Sequence, residues 1–462
     1  LLLAGCMLHA CAPQEDTPPP ADRFPQPPTL TDTNAEPAIV EVSLIAQEGT
    51  HTFIPVGSAA VWGYRDGALA DSEVTVPGPT VRARVGDELI IHLTNNLTAP
   101  TTIHYHGMRV PNAMDGSTST QRAVQPGETF TYQFRVRDAG TFWYHPHVES
   151  DVQVERGLHG AVVIEESDPP AFHQERVLLL DDVKLTPEGV LDPDTDVVDI
   201  MSGRQGNILL VNGQRLPTMV VQPGAVERWR IINVANGRYF QLSMHGAQLT
   251  VIAWDGGRIP QSYAVDSLLI APGERYDLAV TMPADPATLQ LLTAAHAHGT
   301  STEHEDPRPL LDVLAAGRAA STLPIPMDGP AVDLLVVDAL ATVRPMVLSS
   351  EMDAMYPPRF FINGERWPFN RMVMVRSGDV EAWEVRNDED MDHPFHIHGL
   401  FFQVSAVNGQ APERRGWKDT VNIPAHSSVR LAVPYGTPGM WMFHCTILEH
   451  AERGMMGDLM IE

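Results

Sequence analysis

The chain has 462 residues and a formal net charge of −27, so it lacks the basic face that nucleic acid requires. Apolar residues make up 43% of it, enough for sizeable cores, and its length suits about three domains of roughly 150 residues. With 39 prolines and 35 glycines, it fits short strands joined by turns better than long helices.

The first segment, Leu1-Leu2-Leu3-Ala4-Gly5-Cys6, reads as the end of a bacterial lipoprotein signal. Cleavage before a lipid-bearing Cys6 is expected, which would tether an exported protein to a membrane; an ordinary signal cut near Ala10 or Ala12 is the alternative. Residues 13–37, rich in Pro, Thr, Asp and Glu, read as a flexible tether. No later stretch is apolar for long enough to span a membrane.

Three copies of one unit follow. Gly86-Asp87-Glu88-Leu89-Ile90-Ile91-His92-Leu93-Thr94-Asn95 is a turn and then a strand ending in Asn. The same form and spacing recur from Gly224 to Asn233 and from Gly378 to Asn387. After each copy comes a Pro turn: Gln125-Pro126-Gly127-Glu128, Ala271-Pro272-Gly273-Glu274 and Ile423-Pro424-Ala425. Each turn leads into a strand, and Phe130, Tyr132, Phe134 and Val136 show the period of two. These features predict an all-β chain of three Greek-key sandwiches. The boundaries are placed at 38–167, 168–325 and 326–462, where Asp168-Pro169-Pro170 and a Pro-rich stretch mark the joins.

The cysteines are Cys6, Cys11 and Cys445. Only Cys445 lies in the folded body, so no disulfide framework is expected. A lone thiol in an exported chain calls for a reason. Metal ligation is one, because a bound metal keeps the thiolate deprotonated and shields it from oxidation.

Nine of the 19 histidines fall into four groups: His104-Tyr105-His106, His145-Pro146-His147, His393-Pro394-Phe395-His396-Ile397-His398, and His444-Cys445-Thr446 with His450 and Met455. Positions i and i+2 of a strand share a face, so each His-x-His can present two imidazoles to one site. Two His, one Cys and a weak axial Met make the set of a blue copper site. The other His pairs are too many for one copper and imply a second, multinuclear site.

In this order, the four groups resemble the multicopper oxidases, the laccases and bacterial cuprous oxidases. Gly416-Trp417-Lys418-Asp419-Thr420-Val421 is similar to the bacterial cuprous oxidase. The resemblance runs from about residue 38 to the C-terminus and implies three cupredoxin-like domains. It implies up to four coppers: type 1 on His393, Cys445 and His450 with axial Met455; type 2 on His104 and His396; type 3 on His147, His398 and His444 and on His106 and His145. It also implies one-electron oxidation of a small-molecule reductant near the edge of His450, with molecular oxygen reduced to water. Cys445 is bonded to His444, which would link the two sites. Asp115 resembles the acidic residue that aids proton delivery; a turn aspartate is the alternative reading. Glu389 could orient His393, or be an exposed loop carboxylate.

Two positions depart from the family. Thr446 stands where a third His would hold the copper of His106 and His145, so a weakened cluster is expected. Ala451 stands where the cuprous oxidase has a carboxylate, for which Glu449 or Glu452 could substitute. Met346, Met352, Met355, Met372, Met374 and Met391 are scattered and form no Met-rich tract, which favours laccase-like substrates over Cu(I). His296, His298 and His304 lie in a polar loop that could collect metal ions or simply be solvated. A copper protein without oxidase activity is the reading from another class.

Overall fold

The computed structural model describes residues 21–192, 195–296, 306–337, 343–353 and 356–462. Cys6, Cys11, His298, His304 and Met355 lie outside them. Strands dominate, as expected, and the α-helices are the short Ser150–Glu155, Val197–Ser202 and Leu448–Glu452. No helix among the described residues is long and apolar enough to cross a membrane.

Six sheets pair across three large cores. In the first pair, the order Ala59–Asp66, Ile39–His51, Glu88–Asn95, Thr129–Arg135 packs on Gly78–Arg84, Gly160–Glu165, Gly140–His145, His104–His106. Alternation explains the packing: Leu89, Ile91 and Leu93 turn inward and are fully buried, while Ile90, His92 and Thr94 are half-exposed. A six-stranded and a five-stranded sheet enclose the middle core around Trp229, Ile231 and Leu278. Two five-stranded sheets enclose the last, around Trp383, Phe395, Trp441 and Phe443.

The three repeats occupy equivalent places. Each Gly-to-Asn strand pairs parallel with the strand that opens its sandwich. It pairs antiparallel with the strand after the Pro turn. The turn glycines Gly86, Gly224 and Gly378 have φ of +96°, +70° and +89°, a region that side-chain-bearing residues avoid. The terminal asparagines are all fully buried and act as clamps. Asn387 Nδ2 donates to Met391 O at 2.7 Å and Ile423 O at 2.9 Å, and its Oδ1 accepts from Glu389 N at 3.0 Å. Asn95 does the same for Ala99, Val124 and Leu97, and Asn233 for Arg238, Ile270 and Ala235. One amide thus ties the loop after its strand to the approach of the Pro turn.

The tether expected over 13–37 is corrected where it is described. Phe24 enters the middle core at 8% exposure, Leu30 the first core at 5%, and Arg176 pairs with Asp22. These two apolar side chains, the ion pair and the main-chain bonds that Pro28 and Leu30 share with Thr80 lay the segment on the body.

Asn387→Ala removes this clamp and leaves two buried carbonyls unpaired. A loss of about 1–3 kcal/mol is expected. Urea denaturation checks it; an unchanged midpoint would mean that water replaces the amide.

Candidate metal centres

One strand separates two constellations. Gly439–Cys445 pairs with His393–Ile397, with Phe395 opposite Cys445 and His396 opposite His444. Side chains alternate along a strand, so His444 and Cys445 face opposite ways. Cys445 joins His393 in the core of the last sandwich, while His444, His396 and His398 face the first sandwich.

On the core side, Cys445 Sγ lies 3.7 Å from His393 Nδ1 and 3.7 Å from His450 Nδ1, and the two nitrogens are 3.2 Å apart. A metal about 2.0 Å from nitrogen and about 2.3 Å from sulfur fits this triangle. Met455 is buried beside it, with its N–H on His450 O at 3.0 Å and its carbonyl accepting from Cys445 N at 3.1 Å. Burial pushes the Cys445 thiol up, so a thiolate there needs a cation. The edge of His450, expected to receive reductant, is covered: the ring stacks on Phe360 at 4.0 Å and Nε2 faces Met201 O at 3.2 Å.

On the other side, seven histidines converge. The two His-x-His segments interleave, with His104 stacked on His398 and His106 on His396, both at 3.8 Å. His147, His398 and His444 form one group, and His104, His106 and His145 another; His104 also groups with His396 and His398. Outer nitrogens are held by oxygen acceptors: His104 Nδ1 by Asp115 O, His145 Nδ1 by Pro146 O, His396 Nδ1 by Asp419 O and His444 Nδ1 by Cys445 O, at 2.8–2.9 Å. Their inner nitrogens lack partners. His104 Nε2, His106 Nδ1, His145 Nε2 and His396 Nε2 are buried without a hydrogen bond. His398 Nε2 and His444 Nε2 face each other at 2.9 Å although each ring already has its N–H engaged at Nδ1. Two lone pairs repel at that distance unless a cation draws them together. Burial first, and then mutual charge, holds five of these imidazoles neutral: His147 is lowered to about 3, and His106, His145, His398 and His444 lie well below the usual value. Neutral imidazoles with orphaned nitrogens are what a multinuclear metal site needs.

Asp115 supports two ligands: its carboxylate accepts from His398 Nδ1 at 2.9 Å and lies 3.4 Å from His104 Nδ1. Burial works to raise its carboxyl, but its electrostatic and hydrogen-bond contacts with the ring N–H groups of His398 and His104 hold it well below the usual range. Sequence reasoning assigned no role to Asp419, Thr420 or Arg275. Thr420 Oγ1 bonds His106 Nε2 at 2.9 Å, and Arg275 of the middle sandwich forks onto both Asp419 oxygens at 2.7 and 2.6 Å. Asp419 also lies within ligand distance of His106 and His396, but its oxygens are already taken by Arg275, so it braces the site. The motif holding Asp419 and Thr420 was a usable signal; Arg275 gave none.

Thr446 is buried, and its hydroxyl donates to Pro272 O at 2.7 Å. Glu389 does not orient His393, since its carboxylate accepts from the N–H and hydroxyl of Ser350 at 2.7 and 2.5 Å. Glu449 accepts from Asn236 Nδ2 at 2.8 Å and Arg204 N at 3.1 Å, and Glu452 from Ser150. His296 Nε2 pairs with Asp392 at 3.0 Å.

Asp115→Ala is expected to weaken metal binding at the histidine cluster by about 10- to 100-fold and leave the Cys445 centre filled. Equilibrium dialysis, counting metal per chain, checks it. Burial also pushes Glu449 up to about 7. The unfolded chain releases that proton near pH 4.3, so the group's contribution is lost as pH rises to about 7. Glu449→Gln should recover about 3 kcal/mol at pH 8 relative to pH 4. Denaturation midpoints at the two pH values test this, and equal differences for variant and parent would refute it.

Three models of the multicopper oxidase family match residues 63–169, 177–308 and 342–462. The multicopper oxidase MmcO of Mycobacterium tuberculosis is 31% identical over 426 residues, 82% of this chain and 81% of that protein. The cell division protein FtsP of Escherichia coli is 31% identical over 465 residues, 95% of this chain and 92% of that one. The structure of a multicopper oxidase from Campylobacter jejuni, described as a metallo-oxidase, superposes with a TM-score of 0.83 at 29% identity, covering 94% of each chain. Its likeness extends to the sandwiches, which are cupredoxin-like, and the family implies that the metal is copper. With its three domain models matched in order, the chain belongs to the multicopper oxidase family.

Proposed function

We propose that the protein is an exported, laccase-like oxidase that takes single electrons from small reductants and passes them to oxygen. His393, Cys445 and His450 with Met455 would hold type 1 copper. His104 and His396 would hold type 2 copper; His147, His398 and His444, and His106 with His145, would hold the type 3 pair. Bound copper supplies one-electron chemistry at Cys445 and the reduction of oxygen to water at the cluster.

The observation that carries this reading is the adjacency of Cys445 and His444 on opposite faces of one strand. A single peptide unit joins the two centres, so an electron needs no mobile carrier. Asp115 fixes the rings of His104 and His398 through its ionised carboxylate. Thr446 gives that cluster no third imidazole, and its hydroxyl proton is engaged by Pro272. A hydroxyl is a poor ligand for copper, so loading and oxygen reduction are slowed. Lipidation at Cys6 would tether the enzyme to the envelope.

Two other readings have support. Cu(I) as the reductant is favoured by the Campylobacter metallo-oxidase. A copper-binding scaffold without oxidase activity is favoured by FtsP, a relative named for cell division.

The test compares this protein with Thr446→His. Copper per chain, absorption, EPR and oxygen uptake are measured with a neutral phenol and with Cu(I). A blue protein short of four coppers, slow with phenol and several-fold faster as the variant, is expected. Full loading with no gain in the variant would refute the account of Thr446. Faster turnover of Cu(I) than phenol favours the metallo-oxidase, and no oxygen uptake by either protein favours the scaffold.

A further inference from the structure

A cleft of about 680 Å³ opens where the three sandwiches meet, lined by Arg109, Arg137, Gly256, Phe401, Trp417 and Tyr435. It is within the size range of small-molecule sites and combines aromatic walls with few charges, as such sites do. Arg109 follows the His104-x-His106 pair, Phe401 follows His398, and Trp417 precedes Asp419, so the cleft lies over the outer side of the cluster turns.

Its charge is specific. Arg109 forks onto Asp138 and lies 5.2 Å over the ring of Phe401, so this pair is neutral and fixed. Arg137 is exposed and makes no ion pair or hydrogen bond among the described residues. One unbalanced guanidinium therefore faces an aromatic cleft in a chain of net charge −27. A guanidinium recognises a carboxylate by paired hydrogen bonds, and the half-buried Trp417 offers its face to a flat ring.

The floor leads inward. Tyr435 is 2% exposed; its hydroxyl donates to Glu381 Oε2 at 2.9 Å and accepts from Trp383 Nε1 at 2.6 Å. Trp383 meets Phe443 edge-on at 5.2 Å, two residues before Cys445. The other approach to the Cys445 centre is covered by Phe360 and the Met201 carbonyl.

We propose that this cleft docks phenolic carboxylates as reductants, with the carboxylate on Arg137 and the ring against Trp417. The proposal rests on the oxidase reading above and names its substrate class. Each reductant gives up one electron and its phenolic proton and leaves as a phenoxyl radical. The electron passes by Tyr435 and Trp383 towards the Cys445 centre, and the proton goes to water in the open cleft.

The site is tested apart from turnover with benzoate, which has the ring and carboxylate but no oxidisable hydroxyl. Calorimetric titration of the copper-loaded full chain should show binding, about tenfold weaker in Arg137→Ala. In the same variant, the ratio of kcat/KM for ferulate over neutral guaiacol should fall about tenfold. Trp383→Phe should slow the anaerobic bleaching of the blue absorption by ferulate several-fold at unchanged benzoate affinity, which also reports that the variant is folded. No benzoate binding, or binding indifferent to Arg137, overturns the site whatever the oxygen uptake. Arg137-dependent binding with an unmoved ratio overturns the docking of reductants, and an unmoved anaerobic bleaching rate in Trp383→Phe overturns the path. If neither phenol is oxidised, the oxidase reading has failed and the reductant role falls with it; the benzoate titration still decides the site.

Discussion

Neighbouring side chains on an extended strand cannot face the same way. Both centres depend on this constraint at His444 and Cys445. The thiol goes into an apolar core, where a thiolate is tolerated only beside a cation. The imidazole goes to the interface with the first sandwich, where six others meet it. The two environments are chemically opposite, yet they are one peptide apart.

The cluster itself is an interface property. No single sandwich contributes enough imidazoles, and the stacked pairs His104–His398 and His106–His396 are formed across two of them. The middle sandwich adds no imidazole to these groups but grips them through Arg275 on Asp419 and through the Pro272 carbonyl on Thr446. Metal binding and domain docking are therefore coupled, since one ligand group joins His147 of the first sandwich to His398 and His444 of the last, with His147 Nε2 and His444 Nε2 3.4 Å apart.

Much of this was legible in the sequence, because the relevant periods are short. Alternation marked the strands, the recurring Gly-to-Asn unit marked the repeat, and His-x-His spacing marked ligands that share a face. What the sequence concealed was direction and distance. Glu389 lies four residues before His393, but it turns to Ser350 on a neighbouring strand. Arg275 reaches Asp419 from another sandwich, a pairing no local pattern encodes. Residues 21–37 look like a tether by composition, and two apolar side chains among polar ones help to anchor them. Exposure of the His450 edge was also beyond reach, since a main-chain carbonyl and Phe360 cover it.

The asparagine clamp occurs in all three sandwiches, including the middle one, which contributes no histidine to the ligand groups. Holding the loops in place is therefore a task separate from binding metal. A ligand can be exchanged without loosening the frame that presented it, and Thr446 sits in such a frame with its hydroxyl satisfied. In this architecture the side chains that shape the loops are distinct from those that would hold metal. One body plan is thereby shared with relatives named as oxidases and with one named for cell division.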